Sequence, residues 1–202
     1  MEQLSTALLR LNLETREYHA AADEAWGALR LQRVRRRDYI EQLLITYGFE
    51  SAVESALAYT PGVRNVIDVR LRARAGLIAQ DLIAFGFTAQ EISAVAQYSV
   101  APFPSVIDAL GWMYVLERPT LHFEALLRWL QRALGTAVPT AYLRAYEGTA
   151  NAHWHDYGRV LDEVGIDEDS VEELVTAARG GFQALASWDA QARPQIQARS
   201  AL

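Results

Sequence analysis

Apolar residues recur along this chain at spacings of three and four almost everywhere, the pattern of helices that bury one face. Leu4, Leu8, Leu11, Thr15, Tyr18, Ala22 and Ala25 form one such stripe and predict a first helix from about Ser5 to Trp26. A second helix is expected after Asp38, with Ile40, Leu43, Leu44, Tyr47 and Val53 turned inward. "TPGV" at 60–63 reads as a turn, and Val66, Ile67, Leu71, Leu77, Ile78 and Leu82 predict a third helix over about 63–84. Thr88 stands three residues before Glu91, the spacing of a capping box. A Pro-rich connector, "SVAPFPSV", leads into "LGWMYVLERPTLHF" and then to a helix that stops at Gly135. The next helical segment, "AYLRAYEGTANAHWHDYGRVLDEV", is expected to break near Gly148 and to end at Gly165, and Ser170 with Glu173 to cap the last helix. No segment alternates with period two. The fold class is therefore all-α, a single domain over residues 1–202 with about eight helices and short connections.

Composition narrows the function. The chain has no Cys, so neither a disulfide framework nor thiolate chemistry is available. A net charge of -6 argues against nucleic acid as a partner. The apolar runs are too short for a membrane span, and the N-terminal "MEQLSTALLRLNLETR" has no basic region followed by an apolar one. A soluble cytoplasmic protein is expected. Arg33, Arg35, Arg36 and Arg37 form one basic run, read as a solvated loop, with a docking patch for an acidic partner as the alternative.

Metal chemistry would have to come from His19, His122, His153, His155 and the carboxylates. "HWH" places its imidazoles two apart, on different faces of a helix, so it is a poor chelate. Asn12, Arg16, His19 and Asp23 are spaced by four, three and four and share a stripe beside an apolar face. An imidazole there is positioned to hold a metal or metallocofactor through one nitrogen, with a carboxylate for the other and Arg16 for a ligand carboxylate. The more ordinary reading of the same spacing is the polar border of an amphipathic helix.

"ETREYHAAADEAW" resembles the first helix of heme oxygenases, where a T-[KR]-x-x-H motif carries the proximal heme ligand. "LGWMYVLERPTLHF" resembles their distal helix, which in many bacterial members reads like Y-V-L-E-G-S-T-L-G-G, and the likeness is greatest to the bacterial, phytochrome-associated branch. The resemblance implies heme as both substrate and cofactor, with His19 as the proximal iron ligand. Arg16, His155 and Arg159 would contact heme propionates, His155 and Arg159 sharing a face four residues apart.

The distal motif departs from the family pattern. Arg118 stands where the first glycine is expected, Pro119 follows, and His122 and Phe123 replace the Gly-Gly pair. Glycines there let the backbone lie against the heme face. Three readings are open. Pro119 supplies the break, Thr120 caps a new helix and His122 need not face the heme. Alternatively, His122 is a sixth iron ligand opposite His19, with Arg118 lining the same pocket. In the third, Arg118, His122 and Phe123 fill the pocket and the fold holds something else.

By resemblance the reaction is oxidative cleavage of heme to biliverdin, CO and iron, with His19 and Arg118 as catalytic residues. An electron-donor reductase or ferredoxin is implied, and in the phytochrome-associated branch a biliverdin-accepting phytochrome. The competing expectations are a catalytically impaired heme- or bilin-binding protein of the same fold, with bis-His ligation as one form, and a cofactor-free helical scaffold.

Overall fold

The computed structural model describes residues 5–31 and 33–199. Leu4, placed in the first stripe by its spacing, lies outside them. Helices and short connections make up the described chain, and no strand occurs among these residues. None of the helices is long and apolar enough to cross a membrane.

The expected first helix is two. Helix α1 covers Thr6–Glu14 and α2 covers Arg16–Leu31, past the expected end at Trp26. The break sits at Thr15, whose hydroxyl donates back to the carbonyl of Leu11 at 2.6 Å. Such back-bonding competes with the helical ladder and bends the chain. Helix α3, Arg36–Tyr59, starts before Asp38 rather than after it, because the Asp38 carboxylate accepts from the Arg35 backbone N–H at 2.8 Å and caps from inside the first turn. Arg33, Arg35, Arg36 and Arg37 are all exposed, as expected of a solvated run, and three of them meet groups of this chain. Arg35 pairs with Asp38, Arg36 lies 4.8 Å over the Phe85 ring, and Arg37 reaches Glu41 at 2.7 Å.

The single helix expected over 63–84 does not form. Helix α4 is only Val63–Val66, a 3-10 turn spans Val69–Leu71, and α5 runs Ala75–Ala84. The cause is tertiary. Glu54 of α3 accepts from the backbone N–H groups of Arg74 at 2.5 Å and Ala75 at 3.1 Å, capping α5 from another helix. Arg72 and Arg74 are thereby turned inward.

The Thr88–Glu91 capping box forms and opens α6, Ala89–Ser93. Helix α7, Val106–Glu117, is capped by Ser105, and α8, Phe123–Leu134, ends at Gly135 with φ 92°. After a break around Gly148, α9 runs Ala150–Val164 and stops at Gly165. Ser170 does not cap α10, Glu168–Arg199. Asp167 does, its carboxylate accepting the Ser170 N–H at 2.8 Å.

Two apolar clusters form the interior. One joins α1, α3, α7, α9 and α10; the other joins the ends of α2, α3, α5 and α8 with Tyr142 and Leu143. Helix α7 lies at the centre, pressed on α10 at Gly111. A Cβ on Gly111 would stand 2.5 Å from the Ala177 Cβ and 2.6 Å from the Leu174 carbonyl. Gly111→Ala is therefore expected to cost about 1–3 kcal/mol by overpacking. An unchanged urea midpoint in that variant would contradict the close approach.

A polar cluster holds the far end of α7. Glu117, 1% exposed, accepts from Arg72 at 3.0 Å, Arg74 at 2.8 Å and the Tyr146 hydroxyl at 3.1 Å. Glu50 accepts from the Tyr142 hydroxyl at 2.6 Å, with its other oxygen 3.7 Å from Arg74 Nε. Burial, then the neighbouring Glu50, pushes the Glu54 carboxyl up to about 7. The unfolded chain releases that proton near 4.5. Between those values the folded state binds more protons, so stability falls as pH rises from about 4.5 to 7 and levels off above. Glu54→Gln is expected to remove on the order of 2 kcal/mol of this pH dependence. Urea unfolding at intervals from pH 4.5 to 8 checks it, and parallel profiles for wild type and variant would refute it.

Candidate functional site

The stripe predicted on the first helix is divided by the break at Thr15. Asn12 lies on α1, and Arg16, His19 and Asp23 lie on α2. Asn12 and Arg16 are exposed, while His19 and Asp23 are half-buried. The break delivers Thr15 to the ring, its Oγ1 standing 3.0 Å from His19 Nε2. The single Thr15 hydroxyl hydrogen is already given to Leu11. Nε2 is therefore the donor in this contact, and a shift of the proton to Nδ1 frees its lone pair.

Opposite His19 stands α7. The Tyr114 hydroxyl is 3.5 Å from His19 Nε2, and the rings of Tyr114 and Phe182 pack on the imidazole with centroids at 6.4 and 5.6 Å. Trp154 extends the aromatic wall, 6.0 Å from Tyr114. Burial, then the Arg118 cation, lowers the His19 pKa to about 4, so the ring is neutral throughout the physiological range. Neutral imidazole is the metal-binding form. Among the described residues no group of three or more His, Asp or Glu is placed to hold a bare metal ion. His19 is a half-buried imidazole walled by the rings of Tyr114 and Phe182.

Arg118 is 8% exposed and forms a two-pronged pair with Asp23, at 2.7 and 2.9 Å. The carboxylate one turn beyond His19 is thus directed to an arginine rather than to the imidazole. Pro119 lies in a 3-10 turn, Arg118–His122, that ends α7 before α8 begins. Thr120 does not cap α8; its hydroxyl donates to the Glu117 carbonyl at 2.6 Å. His122 is exposed at the start of α8 and is not among the groups gathered round His19.

His155 and Arg159 lie elsewhere, exposed on α9. With Ser5, Leu8, Trp154 and Asp162 they line an open cavity of about 910 Å³. Arg159 is held by Asp156 at 3.0 Å and by Glu163. Trp154, facing both this cavity and Tyr114, is the link between the two places.

Sequence reasoning placed Tyr114 only within the distal motif and gave Phe182 and Trp154 no place beside His19. Tyr114 precedes Arg118 by four, as His19 precedes Asp23 by four. That matched spacing on two helices was the available signal.

Comparison with known proteins adds the following. The heme oxygenase family model matches residues 5–189. A search by sequence among curated proteins finds no match. Among solved structures, the NO- and CO-bound heme oxygenase from Neisseria meningitidis superposes with a TM-score of 0.75 at 19% identity, covering 94% of this chain and 92% of that one.

Proposed function

This chain belongs to the heme oxygenase family, whose members are heme-degrading oxidoreductases that take heme as substrate, and from that premise we propose that it binds heme through His19 and cleaves it to biliverdin, CO and iron. The observation that carries the reading is the His19 imidazole. It is neutral, singly placed, and directed between α2 and α7 among Tyr114, Phe182 and Trp154.

The residues fit the group in kind. His19 would hold the iron, with the aromatic side chains as apolar walls. Arg16 is an exposed cation suited to a propionate carboxylate, and Arg159, beside His155, would exchange Asp156 and Glu163 for one. Heme, when bound, supplies the iron and the oxidisable ring. The chain's own work would be to orient that ring and to exclude bulk water with the Tyr114–Phe182–Trp154 wall, and Arg118 would serve as a hydrogen-bond donor there only once freed from Asp23. The reaction needs electrons from a reductase or ferredoxin. A phytochrome is the proposed acceptor of biliverdin in the branch this chain resembles, and the cytoplasm is the proposed compartment.

A second reading is favoured by one contact. Arg118, in the position of a family glycine, is bonded through both terminal nitrogens to Asp23. A side chain so held occupies distal space, which favours heme or bilin binding without turnover.

Hemin added to the purified protein, followed by ascorbate or a reductase system in air, separates these readings. A saturable Soret band that decays as a bilin absorbance grows supports the enzyme. A Soret band that persists under reductant supports the binding protein. No saturable band overturns both.

A further inference from the structure

Residues 19 and 23 on α2 face residues 114 and 118 on α7, in that order. Two rungs therefore join the helices, one of His19 with Tyr114 and one of Asp23 with Arg118. Any flat ring held by His19 Nε2 must part the first rung, since the Tyr114 hydroxyl is 3.5 Å from that atom. The second rung resists the parting, because both Asp23 oxygens bond Arg118, whose side chain is only 10% exposed.

The two helices are not equally free to yield. The α7 side is anchored, because Glu117, the residue before Arg118, is fixed by Arg72, Arg74 and Tyr146. The α2 side is not. The helix starts at the Thr15 break, and beside its middle turns Ala21, Ala22 and Ala25 line an open groove of about 320 Å³ shared with Leu185 and Ala190 of α10 and rimmed by Glu24, Asp189 and Arg193. This helix has a bend at one end and an open groove beside its middle turns.

We infer that Asp23 and Arg118 are positioning residues that latch α2 to α7, and that release of this pair, with the middle turns of α2 yielding away from α7, admits the porphyrin between His19 and Tyr114. The inference rests on the heme-binding reading above. Its physical core, a latch between two helices, is testable without heme.

Asp23→Asn and Arg118→Gln remove one charge each at nearly constant shape, and Asp23→Glu keeps the charge. Hydrogen–deuterium exchange on the heme-free chain is expected to show α2 amides exchanging about tenfold faster in the first two variants. Amides of α9 should not change, and Asp23→Glu should stay near wild type. In stopped flow, hemin should associate about tenfold faster with Asp23→Asn and Arg118→Gln, and the double variant should gain no more than either single one. Wild-type exchange in α2 for both charge-removing variants would overturn the latch whatever hemin does. Faster exchange with unchanged hemin association would overturn its role in admission. If hemin fails to bind even the wild type, the heme-binding reading falls, and the exchange arm still decides whether α2 is latched.

Discussion

His19→Ala is expected to lower hemin affinity by more than about 100-fold, since it removes the metal donor itself and changes to groups merely supporting a donor already cost 10–100-fold. The loss should be specific to ligation rather than folding. His19 is half-buried beside Phe182 and Tyr114, and alanine there leaves the helix α2 backbone unchanged. Added imidazole should restore the lost spectrum. The side chain it replaces is neutral over the physiological range, because burial and the Arg118 cation oppose its protonation. His122→Ala, by contrast, is expected to leave the iron spectrum unaltered, since His122 is exposed outside the His19 cluster. A loss of six-coordinate character in His122→Ala would establish bis-His ligation instead.

The second large effect is on stability. Glu117→Ala is expected to destabilise the chain by about 3–5 kcal/mol, because it leaves buried charge without its partner. Arg72 and Arg74 are 6% and 1% exposed, and each donates to a different oxygen of Glu117. Arg72 retains Asp156 at 2.8 Å, and Arg74 retains the Leu116 carbonyl at 2.7 Å, so the loss is large without being total. A chain of this size should lose about 10 °C or more in Tm. A shift of only a degree or two would mean that water reaches the arginines and the cluster contributes little. Since Glu117 also anchors the end of α7, the variant should weaken hemin binding even where it remains folded.

The distal segment shows how a local pattern and a long-range one diverge. Pro119 was legible as a break, and the chain does leave the α-helix there. Thr120 was legible as a polar residue near a helix start, yet its hydroxyl turns back to Glu117. Arg118 follows Tyr114 by one turn, which puts both on one face, but nothing within the segment names Asp23 as its partner. That partner is 95 residues away.

The sequence by itself determined that this chain is all helical, because period-three-and-four apolar stripes have few other ways to be buried. It determined ends made by short-range chemistry: the Thr88–Glu91 box and the stops at Gly135 and Gly165. It also set His19 on a helix beside an apolar face, next to a motif of known resemblance. Only the tertiary structure decided where helices break against their own periodicity. At Thr15 a hydroxyl turns to a carbonyl and then meets an imidazole, and before Ala75 a carboxylate from another helix caps the chain. It alone decided that Arg72 and Arg74, indistinguishable in sequence from solvated arginines, are buried, and that Arg118, marked only by its place in the distal motif, is buried against Asp23. A charge enters the interior only where an opposite charge awaits it, and those partners stand 43 to 95 residues away, beyond the reach of any local pattern.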